Sequence, residues 1–351
     1  EASTTGLALL DIYVGGIDRA SGRLATNVNI GGTIGAPSID GTLQLRDAQI
    51  DVYQVNLSLR ALSMDARFDA SALELSGQTQ VGEGRARFNG KLAWRDREPY
   101  GNLHVEGENL RLVDVPEARI DASPKLDFKL QGRRIDADGE VRVPRGRLEP
   151  ADLTNAVLAS GDEVLVGAPP IDPSQRWVVV SNIRLTLGDD VNIKALGLTA
   201  KLGGSLLLRT DESQISRGQG ELNVVSGKYS ALGRQLDVQR GRLIFNNGPM
   251  GDPGIDLRAQ KVFPDVTAGV NVRGSLRAPR MTFFSEPAIP QSQIASLILA
   301  GGSLETVQNS TTSGAARNDL LAQGGAILAQ QIGSRVGIQD VSLESNSFAQ
   351  N

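Results

Sequence analysis

No cysteine occurs in this chain, and histidine occurs once, at position 104. The first absence excludes a disulfide framework and any thiolate metal site. The second leaves too few imidazoles for a catalytic triad plus a metal shell, so His104 reads as a residue on the polar face of a strand. Aromatic residues make up only 4%, which is little bulk for a thick core. No apolar run approaches the roughly 20 residues of a membrane-spanning helix. Neither sign of charge dominates: 36 Lys and Arg stand against 40 Asp and Glu, a net of −4. Without clustered basic residues, nucleic acid is excluded as the main partner. No signal peptide opens the chain; "EASTTGLALLDIYVGG" is already strand-like, and the sequence is expected to be a fragment of a longer protein.

What the chain has in quantity is glycine, 40 residues, with 15 prolines. From about residue 7 to residue 285, short runs alternate apolar and polar side chains between Gly, Asp and Asn turns, as in "NLHVEGENLRL" (102–112), "KLDFKLQG" (125–132) and "GLTAKLGGSLLLR" (197–209). Turn signals about 8–12 residues apart predict an all-β architecture.

Three stretches share a feature that simple alternation does not explain. "GELNVVSGKYS" (220–230) is apolar at Leu222 and Val224, then at Tyr229; "GTLQLRDAQID" (41–51) at Leu43 and Leu45, then Ile50; "GEVRVPRGRLE" (139–149) at Val141 and Val143, then Leu148. Each opens on Gly and then makes an odd jump, which in a regular strand would send the last apolar group to the opposite face. A small residue sits inside each jump: Ala48, Gly146, Gly227. A β-bulge at that point restores the facing, so each stretch is predicted to be a bulged strand with one apolar face, with positive φ at Gly146 and Gly227. A second duplication aligns "VNIGGTIGAPSI" (28–39) with "VNVRGSLRAPRM" (270–281) without a gap, Pro37 and Pro279 each marking a strand start or turn. The Gly-led strands begin at 41, 139 and 220, not at the near-constant period of about 20–25 residues that a parallel β-helix requires. "GDEVLVGAPPIDPSQ" (161–175) is predicted to be a loop.

After residue 287 the pattern changes. "PQSQIASLILAGG" sets Ile294, Leu297 and Ile298 on one helical face, with Gly301 as a stop. Residues 303–318 are small and polar and predicted to be a mobile linker. "NDLLAQGGAILAQQIGS" places Leu321, Leu328 and Ile332 at helical spacing, with Asn318 as N-cap. The end, "GIQDVSLESN", returns to strand. The expected organisation is an elongated β-domain over 1–288, a helical segment over 289–335, and the start of a terminal strand region over 336–351.

Motifs for chemistry fail on inspection. "SGKYS" resembles a phosphate loop, but the position of its first glycine holds Leu222. "GDDVNI" and "NNGPMGDPGID" lack the oxygen-ligand spacing of a calcium loop and read as turns. Nothing points to an enzyme, a cofactor or a metal. The physical signal is the apolar strand face, which must be covered, although no amphipathic helices precede residue 288 to cover it. Two solutions stay open on these grounds: two sheets packed as a sandwich, or one sheet curled around a ligand.

"GRLIFNNGPMGDPGIDLRA" (241–259) and "VNVRGSLRAPRMTFFSEP" (270–287) resemble the signature strands of TamB-type carboxy-terminal domains, and "QSQIASLILAGG" and "GIQDVSLES" follow in the same order. Earlier segments such as "VPRGRLEP" (143–150) are similar to repeats of the wider AsmA-like group. The resemblance implies a periplasmic protein of Gram-negative bacteria, held in the inner membrane by an amino-terminal helix that this sequence does not include. It implies a long U-shaped sheet, a β-taco, with an apolar groove, and a partner in the outer-membrane barrel protein TamA. The aromatic-rich terminal strands that would meet TamA do not follow "GIQDVSLES" here. Two functions go with the resemblance: a bridge carrying phospholipid acyl chains between the membranes, and a scaffold for outer-membrane protein assembly that pairs with β-strands. For the first, the expected lining is Leu43, Leu45, Ile50, Val141, Val143, Leu148, Leu222, Val224, Tyr229, Leu243, Phe245, Ile255, Leu257, Val270, Val272, Leu276, Met281 and Phe283.

Overall fold

The computed structural model describes residues 2–6, 19–33, 36–52, 56–69, 72–95, 98–149, 177–195, 197–231 and 234–300. The predicted loop at 161–175, the linker at 303–318, the second helix with Leu321, Leu328 and Ile332, and the terminal strand from 336 lie outside them. The described chain is all-β but for one helix. Its first strands are β1 (Ala2–Gly6), β2 (Arg19–Thr33), β3 (Ala36–Val52), β4 (Leu57–Asp69), β5 (Ala72–Val81), β6 (Gly84–Arg95), β7 (Glu98–Glu108), β8 (Leu110–Val115), β9 (Ala118–Gln131) and β10 (Arg134–Leu148). Then come β11 (Val178–Ala195), β12 (Leu198–Thr210), β13 (Ser216–Ala231), β14 (Arg234–Pro249), β15 (Gly254–Val262), β16 (Thr267–Ser275), β17 (Pro279–Glu286) and the helix α1 (Gln291–Ala300).

The chain forms two compact units: Glu1–Arg147, Val164–Val191 and Ser205–Arg217 in the first; Leu148–Glu163, Asn192–Gly204 and Gly218–Asn351 in the second. In the first, β2 through β7 pair antiparallel in series, and β7 then pairs with β9. In the second, β14 through β17 form an antiparallel series.

The odd jump is a bulge in β3, and in β10 and β13 the inward-facing positions switch phase within the jump. In β3 the register against β4 slips on both sides of Ala48, and Asp47 takes φ +50°, a left-handed conformation that a short polar side chain tolerates. Leu45 and Ile50 thereby meet in one cluster with Ala48 and Leu62. In β10 the buried or half-buried positions run through Ala137, Gly139, Val141 and Val143, then switch to Gly146 and Leu148, with Arg145 exposed at the switch. In β13 they run through Leu222 and Val224 and switch to Gly227 and Tyr229, leaving Val225 and Ser226 exposed.

The placement of positive φ is a correction. Neither Gly146 nor Gly227 has it; the opening glycines do, with φ +144° at Gly41, +139° at Gly139 and +135° at Gly220. Gly227 is required for space instead, because a Cβ there would stand 2.7 Å from the Ala200 Cβ. At Gly139 a Cβ would lie 2.2 Å from the Lys125 carbonyl oxygen, against 3.3 Å from Val191 Cγ1 at Gly146. Gly139→Ala is therefore expected to lose about 1–3 kcal/mol, and Gly146→Ala distinctly less. Urea midpoints for the two variants check this; equal midpoints would refute the assignment of strain to the opening glycine.

The second duplication is one hairpin used twice. Gly32 pairs with Pro37 and Gly274 pairs with Pro279, equivalent positions in the two aligned stretches, and both prolines stand at or next to the start of their strands.

Candidate functional site

Residues directly opposite in an antiparallel ladder share a face of the sheet, so the registers of the first unit specify its surface. One row runs Leu24, Leu45, Met64, Gly77, Phe88, Val105, Leu126 from β2 to β9. The next runs Thr26, Leu43, Ala66, Leu75, Gly90, Leu103, Phe128, and a third runs Val28, Gly41, Phe68, Leu73, Leu92, Gly101, Leu130. Three adjacent rows across seven strands are thus apolar but for Thr26. The intervening rows on the other face are polar but for Ala25: Asn27, Thr42, Arg67, Glu74, Lys91, Asn102, Lys129, and beside it Ala25, Gln44, Asp65, Ser76, Asn89, His104, Asp127.

The glycines in the apolar rows make room for their neighbours. A Cβ on Gly77 would stand 2.4 Å from the Phe88 ring, one on Gly101 3.0 Å from Leu92 Cδ2, and one on Gly90 3.2 Å from Leu103 Cδ1. Each large side chain leans over the glycine opposite and flattens the surface. Most of this face is half-buried rather than buried: Leu43, Met64, Leu75, Phe88, Leu103 and Phe128 all keep part of their area in water. Two buried clusters among the described residues of the first unit are small, Leu45 with Ala48 and Leu62, and Val81 with Ala86 and Leu110. The sequence reading singled out Leu43, Leu45, Ile50, Val141 and Val143 on this unit and missed β4 to β9, where single apolar residues alternate without the Gly-led pattern.

On the polar face, charges are interleaved. Lys91 bonds Glu74 at 2.5 Å and holds its carboxyl below the usual carboxylate range. His104 Nδ1 stands 2.7 Å from Asp127, as suits a solvated strand face. Asp121 is the exception: it is buried and clamped by Arg111 Nε at 2.5 Å and Arg145 Nε at 3.2 Å. Two guanidiniums on one carboxylate satisfy the buried oxygens and tie β8 and β9 to β10. Among the described residues no group of His, Asp and Glu is placed to hold a metal ion.

In the second unit, Leu243 faces Ile255; Gly241, Leu257, Val272 and Met281 form one row; and Ala259, Val270 and Phe283 form the next. Val224 comes within 2.5 Å and Leu257 within 3.2 Å of where a Gly241 Cβ would sit, so these two meet over the glycine. Here the face is covered. Ile294, Leu297 and Ile298 of α1 join Leu236, Ala259, Ala268 and Val270 in a buried core, with Tyr229, Met281 and Phe283 packed against it. Burial pushes the Tyr229 phenol above its ordinary pKa. The predicted helix is therefore present with the predicted face, and it is the cover that the sequence reading did not assign to any strand. Of the remaining candidates, Phe245 is buried beside Gly218; Val141, Val143, Leu148 and Leu222 are half-buried or buried on β10 and β13; and Leu276 lies between β16 and β17, its amide donating to the Pro253 carbonyl. None of the eighteen predicted lining residues is exposed. No described helix is long and apolar enough to cross a membrane.

The family model described as TamB C-terminal domain matches residues 74–351. The translocation and assembly module subunit TamB of Haemophilus influenzae is similar at 26% identity over 349 residues, covering 93% of this chain and 27% of that protein. The chain thus spans about a quarter of the length of this relative. With most of its residues, β6 to α1 included, inside the family match, the chain belongs to the TamB C-terminal domain family.

Proposed function

We propose that the apolar face of the first unit carries the acyl chains of phospholipids, within a periplasmic module that joins the inner and outer membranes. The observation behind this reading is three adjacent apolar rows across seven strands with no helix of the described residues laid over them. Such a face must be covered by something, and a second layer of this chain would bury it fully rather than by half. Each methylene of an acyl chain laid along it gains about 0.8 kcal/mol. In this reading the sheet curls into a U-shaped groove around the chains, with the interleaved charges of the other face in water. The full-length protein is held in the inner membrane and engages the barrel protein TamA. No step is catalysed and no cofactor is used; the face is a low-friction track, because aliphatic contacts are non-directional.

The test places photo-reactive side chains at Leu75 and Leu103 on the apolar face and at Glu74 and Asn89 on the polar face. Each protein is incubated with phospholipid vesicles before illumination. Lipid adducts at the first pair and not the second are expected. Adducts at neither pair would overturn the reading and leave a β-strand of an assembling outer-membrane protein as the occupant.

A further inference from the structure

The polar face of β14–β17 gathers arginines at directly adjacent ladder positions. Arg242, Asp256, Arg273 and Arg280 stand side by side in one row, and Arg240 faces Arg258 in the next. Like charges directly opposite on a sheet repel, so this arrangement needs compensation. Asp256 supplies part of it, taking Arg242 at 2.7 Å, Arg240 at 3.3 Å and Arg273 at 3.6 Å, and its carboxyl is held below the usual range, chiefly by the hydrogen bond from Arg242. Glu221 of β13 stands 3.7 Å from Arg242, and Glu286 takes Arg258 at 3.0 Å, which also stacks on the Phe284 ring at 3.6 Å. Asp237 stands on the same face, opposite Gln260. Arg280 has no ion pair among the described residues and is exposed. The guanidiniums remain open to water, with Arg273 68% and Arg240 48% exposed. Two aliphatic residues flank them on the same face, Val262 at 73% and Ile244 at 37% exposed, and Val225, where β13 switches phase, is 67% exposed.

We propose that this face of the second unit docks on the surface of an anionic phospholipid bilayer. Surplus guanidinium beside exposed aliphatic side chains is the chemistry of that interface: Arg binds phosphate oxygens in pairs, and the aliphatic groups enter the region just below the headgroups. The site is on the opposite side of the strands from Leu243, Leu257 and Val270, so it is independent of the apolar track.

The experiment is vesicle flotation of the full chain with phosphatidylcholine alone and with phosphatidylglycerol added, at low and high salt. Binding is expected only with phosphatidylglycerol and is weakened by salt. Arg280→Gln should lower partitioning about fivefold, and Arg280→Glu further. Because Arg280 holds no ion pair, both should keep the wild-type melting point. Arg67→Gln on the first unit serves as the comparison and should leave partitioning unchanged. Equal binding to neutral vesicles would assign the membrane contact to the apolar face and overturn the proposal. So would phosphatidylglycerol binding that Arg280→Glu leaves intact. Inorganic phosphate or a duplex oligonucleotide bound by calorimetry without vesicle flotation would make the patch a free-anion or nucleic-acid site instead.

Discussion

Replacing Leu297 with Asp is expected to lift α1 off the strands and to destabilise the second unit strongly. Leu297 is fully buried against Leu236 and Val270. Truncating such a leucine to Ala costs about 2–5 kcal/mol through lost transfer energy and the cavity left behind. A carboxylate adds the penalty of a buried, unpaired charge, which the helix avoids by leaving. The helix then has little of its own to hold it: it is ten residues long, with no acidic residue in its first turn and no basic residue in its last, and isolated helices of that length are marginal in water. Hydrogen exchange should show the α1 amides unprotected and those of β16 and β17 less protected, while β4 to β7 in the first unit keep their wild-type rates. Gln291→Asp, on the exposed first residue of the helix, should instead stabilise by about 0.3–1 kcal/mol by complementing the helix dipole. If Leu297→Asp leaves exchange in β16 unchanged, the helix does not seal that face.

Much of the strand content was legible because a half-buried strand writes its two faces into alternate residues. The phase switches were legible for a related reason: Leu45 and Ile50, or Val224 and Tyr229, can share a face only if the strand breaks phase between them. What alternation could not give is the backbone conformation that causes the break. Positive φ falls on Asp47 in one copy and on the opening glycines in all three. A glycine can be demanded by a neighbour's bulk, as Ala200 demands Gly227, and a sequence does not distinguish that from a need for φ. A fourth copy, Val238 to Leu243 with Gly241 inside and a register slip after Val238, went unnoticed because its strand opens on Arg234 rather than on Gly.

Register was the larger missing element. Leu75, Leu103 and Phe128 are unremarkable in their own strands and become a row only when β5, β7 and β9 are aligned. The same holds for the arginines of β14–β17. They are scattered between positions 240 and 280 with no local cluster, and composition alone argued against a basic surface. Asp121 was invisible for a different reason, since its burial depends on Arg111 and Arg145 arriving from other strands.

The track itself is tested by Leu103→Arg, which is expected to abolish lipid adducts at Leu75 while the protein stays folded. Leu103 is half-buried, and its direct neighbours in the row are Gly90 on one side and the half-buried Phe128 on the other. A long Arg stem can lie along that open surface and carry its guanidinium to water, so the folding cost should be about 1–3 kcal/mol. For an acyl chain the result is different in kind, because passing the site now means stripping water from a charge that no carboxylate on the apolar rows can pair. Val270→Arg provides the contrast. That residue is fully buried under α1, with no open side for the head group, and its second unit should unfold. A closed sandwich would make the two variants alike, both unfolding the unit that carries them. If Leu103→Arg is folded and still yields adducts at Leu75, acyl chains do not run along these rows.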